Sequence, residues 1–365
     1  MQAKSYHPNL HWFAIGVALT ALALVGLGGM VTSKGVGMAV PDWPNTYGYN
    51  MFLFPPSQWV GGIFYEHTHR LLASGVGLLT TMLAVWIWRA NLGRTLRWAG
   101  VGAFVLVVLQ GVLGGLRVVM DAKIIANTTF GVVFGVFHGC LGQAFLVLLC
   151  VIALMTSRGW AGRITQVSRT TRRFILGSTL LIAIQLVIGA TMRQQHAGLA
   201  ISDFPLAHGQ WWPDMSHQAI AKYNSLRMET TAQDPITAFQ VALQMLHRIG
   251  AVFILIAVSV CCSRIFREPT ANALRRAGSG WLLLILTQAG LGMWTIWSDK
   301  AADVATLHVV CGALSLVTGS LLSLVVLCGN FRSCDAPGSL ASNAARSGSN
   351  HPAAGNYSES VTLNP

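Results

Sequence analysis

Eight long apolar segments are the feature of this 365-residue chain that most limits its fold. Each runs for about 20 residues or more, the length that an α-helix needs to cross the hydrocarbon core of a bilayer. The composition agrees, since only 10% of the residues are charged, against about 25% in a soluble domain. The sequence therefore predicts an all-α integral membrane protein with eight transmembrane helices, near residues 11–32, 63–88, 97–119, 131–156, 174–193, 237–263, 277–298 and 304–328.

The distribution of basic residues sets the expected orientation of these helices. The links 89–97, 157–173 and 264–276 contain twelve arginines and a single acid, Glu268, whereas the alternate links contain five bases and eight acids. By the positive-inside rule, the arginine-rich links and both termini are expected to be cytoplasmic, in the cell (inner) membrane. The net charge of +12 is then charge that faces the anionic lipid bilayer. Nucleic-acid binding is not expected.

The second half of the sequence repeats the first. Four pairs of stretches match, the first at an offset of 161 residues, the next two at 178 and the last at 170: Gly28–Pro44 with Gly189–Pro205, Thr68–Arg70 with Leu246–Arg248, Gln110–Gly114 with Gln288–Gly292, and His138 with His308. The changes of offset fall in predicted loops, as a duplicated bundle requires. Because each half has an even number of helices, both insert in the same sense. This predicts two four-helix bundles related by a pseudo-twofold axis along the membrane normal.

The repeat divides the chain into five predicted segments. Residues 1–10 are expected to be a cytoplasmic N-terminus, and residues 158–173 a cytoplasmic linker between the halves. The two folded halves are residues 11–157 and 174–329. Residues 330–365 are rich in Ser, Ala, Asn, Gly and Pro, and a disordered cytoplasmic tail is expected there.

Four histidines occupy matched positions near the expected outer ends of the even-numbered segments: His69, His138, His247 and His308. Facing imidazoles on neighbouring helices can hold a metal ion, and a haem fits edge-on between them. A lone membrane histidine more often joins an interhelical hydrogen bond or a proton relay. Four histidines paired by a repeat favour a bis-histidine haem or another bis-imidazole metal site. His67 is the weaker ligand candidate, because its repeat counterpart is Met245.

Arginines and glycines surround these positions, and each has two interpretations. Arg70 and Arg248 follow two of the histidines, where they could bind haem propionates or extend to lipid headgroups. Arg117 and Arg193, at expected outer helix ends, leave the same alternatives. The flanking glycines could leave space for a flat porphyrin, or they could allow ordinary close packing of helices. The two interpretations are compatible.

One carboxyl group breaks the symmetry of the repeat. Glu66 lies three residues before His69 on the same helix face, and the matching residue before His247 is Gln244. Glutamine keeps the shape and the hydrogen bonding but cannot transfer a proton. Glu66 is therefore a candidate for proton transfer near a haem. The alternative is that Glu66 only orients a histidine or pairs with Arg70.

These residues closely resemble the haem A synthase family, membrane enzymes of cytochrome oxidase assembly. The motifs that carry the resemblance cover about residues 25–312: the Gly-rich stretch that ends in Pro41-Asp42-Trp43-Pro44, the motif Glu66-His67-Thr68-His69-Arg70, and the histidines His138, His247 and His308. Some members have a cysteine pair in the first outer loop. This chain has no cysteine between residues 33 and 62, so a thiol-dependent step is not carried over.

The resemblance implies an oxidoreductase that converts the C8 methyl of haem O to a formyl group through a hydroxymethyl intermediate. It implies that His247 and His308 ligate a haem b cofactor. It also implies that His69 and His138 surround the substrate haem O, with Glu66 as the catalytic carboxylate. The implied partners are a membrane electron donor, haem O synthase and cytochrome oxidase assembly factors, with a homo-oligomer as a further expectation.

Two other functions are compatible with the residues alone. One is a dihaem cytochrome b that carries electrons without catalysis, although histidines at one face only disfavour a transmembrane electron path. The other is a transporter built on the repeat, with the histidines as proton relays.

Overall fold

The structure, a computed structural model, describes residues 7–123, 129–160, 165–230, 235–269 and 272–334. Nine α-helices lie within these ranges: α1 Pro8–Ser33, α2 Gly61–Ala90, α3 Arg94–Lys123, α4 Thr129–Met155, α5 Arg169–Gln194, α6 His217–Thr230, α7 Ala238–Arg267, α8 Asn272–Trp297 and α9 Ala302–Cys334. Short 3-10 helices at Met51–Leu53, Pro56–Gln58 and Ala197–Leu199 lie in the loops. The described residues contain no β-strand beyond two isolated bridges.

Eight of these helices, all except α6, are long and apolar enough to cross a membrane. They coincide with the eight predicted segments. The prediction of an all-α, multi-pass membrane protein is confirmed. Continuous helices are expected in lipid, because every backbone polar group there must find its partner within the protein.

Several helices extend beyond their predicted bounds, and three of these ends are instructive. Helix α1 begins at Pro8 and α5 begins at Arg169, each several residues before its predicted start. Hydropathy misses such polar first turns, although proline suits the first helical position and the Ser168 side chain caps α5 by accepting a hydrogen bond from the Thr171 amide. Helix α9 continues to Cys334, past residue 330 where the tail was predicted to begin. Residues 335–365 lie outside the described residues.

The helices pack as two four-helix groups with the same neighbours. In the first group α1 packs against α2 and α4, and α3 packs against α2 and α4. In the second, α5 packs against α7 and α9, and α8 packs against α7 and α9. Helices α1, α4, α5 and α9 form the contact between the groups. This equivalence is consistent with the expected pseudo-twofold arrangement.

The larger close-packed core of each group occupies one end of that group, and a third, smaller cluster lies mainly in the second long link, residues 195–237. In the first group the core comes mainly from residues 10–21, 76–87, 96–103 and 145–153. In the second it comes from residues 175–182, 254–265, 274–285 and 322–326. All these residues lie toward the arginine-rich links, so this end is called the arginine face. The opposite end, with the links 34–60 and 195–237, is called the loop face. The four histidines lie in the half of the bundle toward the loop face.

The two long links share one turn at the loop face. Asp42 accepts hydrogen bonds at 2.8 Å from the backbone amides of Tyr47 and Gly48. Asp203 does the same with the amides five and six residues further on, at 2.7 and 2.8 Å. The repeat therefore extends from the helices into the local structure of these loops.

Helix α6 lies in the extra length of the second link and was not predicted from the sequence. Its Tyr223 ring stacks on His208, with centroids 3.7 Å apart and planes within 8°. The Asn224 side chain donates to the Ile236 carbonyl and accepts from the Ile236 amide. These contacts fix α6 against the second loop.

Candidate functional site

His247 and His308 face each other within the second helix group. They belong to α7 and α9, each of which packs against α5 and α8. Their ring centroids lie 6.4 Å apart, with the ring planes inclined by 63°. A metal ion between two imidazoles needs metal–nitrogen bonds of about 2 Å, and the half-widths of the two rings bring the expected centroid separation to about 6 Å. The spacing therefore fits one metal ion with two axial histidines.

A glycine lies against each ring of this pair. A Cβ added to Gly189 of α5 would meet His247 Cε1 at 3.2 Å, and a Cβ added to Gly292 of α8 would meet His308 Cε1 at the same distance. Any larger residue would therefore press on the imidazoles. Two helices thus carry the histidines, and the other two helices of the group give the rings room.

The first helix group repeats this arrangement. A Cβ on Gly28 of α1 would come within 3.0 Å of His69 Nε2, and a Cβ on Gly114 of α3 would come within 3.2 Å of His138 Cε1. His69 and His138 lie within electrostatic reach of each other and of Arg117. The four histidines therefore lie in two pairs, one in each group.

Glutamine side chains hold three of these histidines. Gln288 Nε2 lies 3.3 Å from His308 Nε2, and Gln110 Nε2 donates to the His138 carbonyl at 3.0 Å. Gln185 Nε2 lies 3.1 Å from His247 Nδ1 and donates to its carbonyl at 2.7 Å. Gln110 and Gln288 occupy equivalent positions of the repeat, but neither was predicted to have a role. Gln185 was missed, because its only sequence signal is that it is a polar residue inside an apolar segment.

Two ring nitrogens of these pairs, Nδ1 of His138 and Nδ1 of His308, are buried and have no hydrogen-bond partner among the described residues. A buried polar atom without a partner costs free energy. A metal ligated through one ring nitrogen orients the imidazole and fixes which nitrogen carries the proton. Together with the ring spacing and the glycines, the unpartnered Nδ1 of His308 makes the His247–His308 pair a good fit for a haem with two axial histidines.

Glu66 is buried in an ion pair that anchors the first long link. Its Oε1 lies 2.6 Å from Arg70 Nη2, and its Oε2 accepts from the Val40 amide at 2.8 Å. The Arg70 guanidinium also donates to three backbone carbonyls of the link, at 2.7 to 3.0 Å, from Val40, Asp42 and Asn45. Pairing between Glu66 and Arg70, one of the two alternatives left open by the sequence, is thus present in the structure.

The second group has an equivalent network without the ion pair. The Gln244 side chain accepts from the Ile201 amide at 2.7 Å and donates to the carbonyls of Gly198 and Ile201. Arg248 donates to the carbonyls of Asp203 and Leu206, at 2.7 and 2.9 Å. Both Arg70 and Arg248 therefore donate hydrogen bonds to loop carbonyls. Binding of haem propionates by these two arginines stays a prediction.

His67 points away from the histidine pairs. Its Nδ1 lies 3.2 Å from Thr46 Oγ1, and its ring packs against Trp59 and Phe54, with centroids 4.7 and 5.1 Å apart. His67 is thus part of the packing between α2 and the first link. This position is consistent with the preference for His69 as the ligand.

The sequence of the whole folded part identifies the family. Residues 11–319 match the model of a family described as cytochrome oxidase assembly protein. The chain belongs to this family. The match covers both helix groups and all four histidines, so family membership rests on the complete repeat.

The chain is also similar to proteins named heme A synthase. The relative from Shouchella clausii is 27% identical over 302 residues, covering 81% of this chain and 89% of the relative. The relative from Geobacillus kaustophilus is 25% identical over 325 residues, covering 87% and 91%. The relative from Bacillus cereus is 23% identical over 309 residues, covering 82% and 87%. The resemblance to the haem A synthase family is thereby confirmed.

Proposed function

We propose that this protein is a haem A synthase, an oxidoreductase that converts the C8 methyl of haem O to a formyl group through a hydroxymethyl intermediate. The observation that carries the proposal is the pair of equivalent histidine sites, of which, among the described residues, only the N-terminal one lies beside a buried carboxyl group. The names of the relatives agree with it. A dihaem protein that only carries electrons would not require a glutamate at one site and a glutamine at the equivalent position of the other.

The C-terminal site is the one we assign to the cofactor. His247 and His308 would hold haem b, whose iron supplies one-electron transfer when it is bound. Gln185 and Gln288 orient the two imidazoles, and Gly189 and Gly292 keep the space around them open. Gln244 replaces the carboxyl group here, so this site has hydrogen bonding without proton transfer at that position.

The N-terminal site is the one we assign to the substrate, haem O. His69 and His138 would flank it, and Glu66 would act as the catalytic carboxylate. Oxidation of the hydroxymethyl group to the formyl group passes two electrons to an external oxidant such as dioxygen and releases two protons, of which Glu66 would accept one and water the other. Arg70 stabilises the Glu66 carboxylate by its charge, and the Val40 amide fixes its orientation.

We assign the loop face to the outer side of the cell membrane. The arginine-rich links then face the cytoplasm, together with both termini, as the positive-inside rule requires. Both histidine pairs would lie nearer the outer surface. A membrane electron donor must reach this end of the bundle. Haem O synthase and cytochrome oxidase assembly factors are the partners that the function calls for.

Expression beside a haem O source, in cells without their own haem A synthase, tests the proposal. Extracted pigments are separated, and wild-type protein should yield haem A together with its hydroxymethyl intermediate. Glu66→Gln should retain the haem b spectrum and lose haem A. If wild-type protein never yields haem A and instead retains two low-spin haems, the protein is a dihaem electron carrier and the proposal fails.

A further inference from the structure

Two cations lie at the loop face where the two helix groups meet. Arg193 is near the C-terminal end of α5, and Lys300 is in the turn between α8 and α9. Arg193 Nη2 donates to the Gly29 carbonyl, and also to Ser33 Oγ at 2.7 Å. Both acceptors belong to α1. A side chain of the second group is therefore held by the backbone of the first.

The contacts of Arg193 put it beside the His247–His308 pair. Gly29, which accepts from Arg193, lies against Thr306 of α9, and a Cβ added to this glycine would meet the Thr306 side chain at 3.1 Å. Thr306 is two residues from His308. Arg193 itself lies within electrostatic reach of His308. The guanidinium thus occupies the edge of the C-terminal site that faces the first group.

Lys300 adds a second positive charge at the same place. Its backbone has a left-handed conformation, with φ 62°, and its amide donates to the Thr295 carbonyl at 2.7 Å. The side chain runs past Gly198, where an added Cβ would lie 3.9 Å from Lys300 Cδ. Burial, together with the charge of Arg193, lowers the pKa of Lys300. The two cations are close enough to repel each other.

Among the residues that the structure describes, neither Arg193 nor Lys300 forms an ion pair with a carboxylate. The other nitrogens of the Arg193 guanidinium, Nη1 and Nε, donate to no described residue. Two half-buried like charges are unfavourable unless an anion neutralises them. The position corresponding to Arg193 in the first half is Thr32, so this charge is not a general feature of the duplicated fold.

We propose that Arg193 and Lys300 form a carboxylate site that binds a propionate of the haem held by His247 and His308. The inference rests on the proposed function, because it takes the haem of that function as the ligand. Arginine suits a carboxylate through two parallel N–H donors, and lysine adds a point charge. Arg248 is less suited, since it already donates to the Asp203 and Leu206 carbonyls.

The proposed site also links the two halves of the protein, because Arg193 belongs to the second half and contacts the first. Arg193 contacts α1 through one nitrogen and would contact the propionate through the others. Binding of the C-terminal haem would therefore restrain the end of α1 that carries Gly28, the glycine against His69. Occupation of the cofactor site would in this way order one wall of the substrate site.

A comparison of two porphyrins tests the site without measuring turnover. Purified full-length protein depleted of haem is titrated with haem b and with its dimethyl ester, which lacks the propionate charges, and absorbance reports binding. Wild-type protein should bind the free acid about ten- to a hundredfold more tightly. Arg193→Gln should lose most of this preference, and Lys300→Gln should lose part of it. Arg193→Lys should retain part.

Arg264→Gln is the matched control, since it removes one arginine charge at the arginine face, where the guanidinium lies over the Phe174 ring. It should keep the wild-type preference. Equal binding of acid and ester by wild-type protein, which needs no variant to fold, would overturn the inference. So would an undiminished preference in Arg193→Gln. Failure of the proposed function would give a different result. The protein would still prefer the free acid of haem b in the titration, but it would form no haem A in the expression experiment.

Discussion

Glu66 and Gln244 accept the same hydrogen bond in the two halves of the protein. The Val40 amide donates to Glu66 at 2.8 Å, and the Ile201 amide donates to Gln244 at 2.7 Å. The two loops are thus held in the same way. Anchoring of the loop needs an oxygen acceptor only, which either side chain supplies. The carboxyl group of Glu66 adds a charge and a proton-accepting group that the anchoring does not require.

Glu66→Gln should separate anchoring from chemistry. The amide oxygen can still accept from the Val40 amide, and Arg70 keeps its three backbone acceptors. We expect an unchanged haem b spectrum and a fall in haem A formation of about 100-fold or more, because the position can no longer take a proton. Pigment extraction measures haem A, and absorbance of the purified protein checks the cofactor. Normal haem A formation would show that Glu66 serves the loop alone.

Gly292→Ala should weaken haem binding in the C-terminal site. The added methyl group would come within 3.2 Å of His308 Cε1, so the ring must shift. Loss of ligand orientation should lower haem affinity by about tenfold or more. Gly280→Ala is the matched control in the same helix, because a Cβ there meets nothing within 4 Å. Haem titration of both variants measures the effect, and equal affinities would contradict the assigned geometry.

His247→Ala should abolish the bis-histidine haem b spectrum. Removal of one axial ligand leaves the iron with His308 alone, so the low-spin absorbance should disappear from the purified protein. His217→Ala, at the exposed start of α6, should retain the wild-type spectrum. A pyridine haemochrome assay counts the haem that remains. An unaltered low-spin spectrum in His247→Ala would mean that the cofactor is bound elsewhere.

Acidification should loosen the second loop and leave the first in place. Burial, aided by the charges of Arg227 and Arg248, lowers the pKa of His208 below its ordinary value of 6.5, against the opposing influence of Asp203. Neutral His208 is therefore the form that stabilises the fold. Its contribution is complete above about pH 6.5 and is lost as the pH falls toward the lowered pKa.

Amide hydrogen exchange, corrected for the intrinsic effect of pH, measures this loosening. Exchange in α6 should accelerate between pH 7.5 and pH 5.5, because α6 stacks on His208 through Tyr223. The first loop is the internal control, since Tyr47 stands in the place of His208 and donates to the equivalent carbonyl, that of Ala39. His208→Tyr should remove the pH dependence. The same acceleration in both loops would point to a cause other than His208.

Hydropathy was sufficient to predict the eight membrane helices, and the repeat indicated which of the four histidines to compare with each other. An apolar run of 20 residues has few alternatives to a helix in lipid, and equivalent positions of a repeat acquire equivalent neighbours. Helix α6 was missed because it is a short polar helix within an insertion. Its position depends on the contacts of Tyr223 and Asn224 with distant residues.

The sequence by itself determined the membrane class of the fold, the duplication, and the difference between Glu66 and Gln244, since these depend on residue type and spacing along the chain. Only the tertiary structure decided which partners the long polar side chains select. Arg70 and Arg248 donate hydrogen bonds to carbonyls of the loops, whereas Arg193 donates to a carbonyl of α1 in the other helix group. A guanidinium on a flexible stem can reach several acceptors, and the choice among them follows from which helices and loops the folded bundle brings within reach.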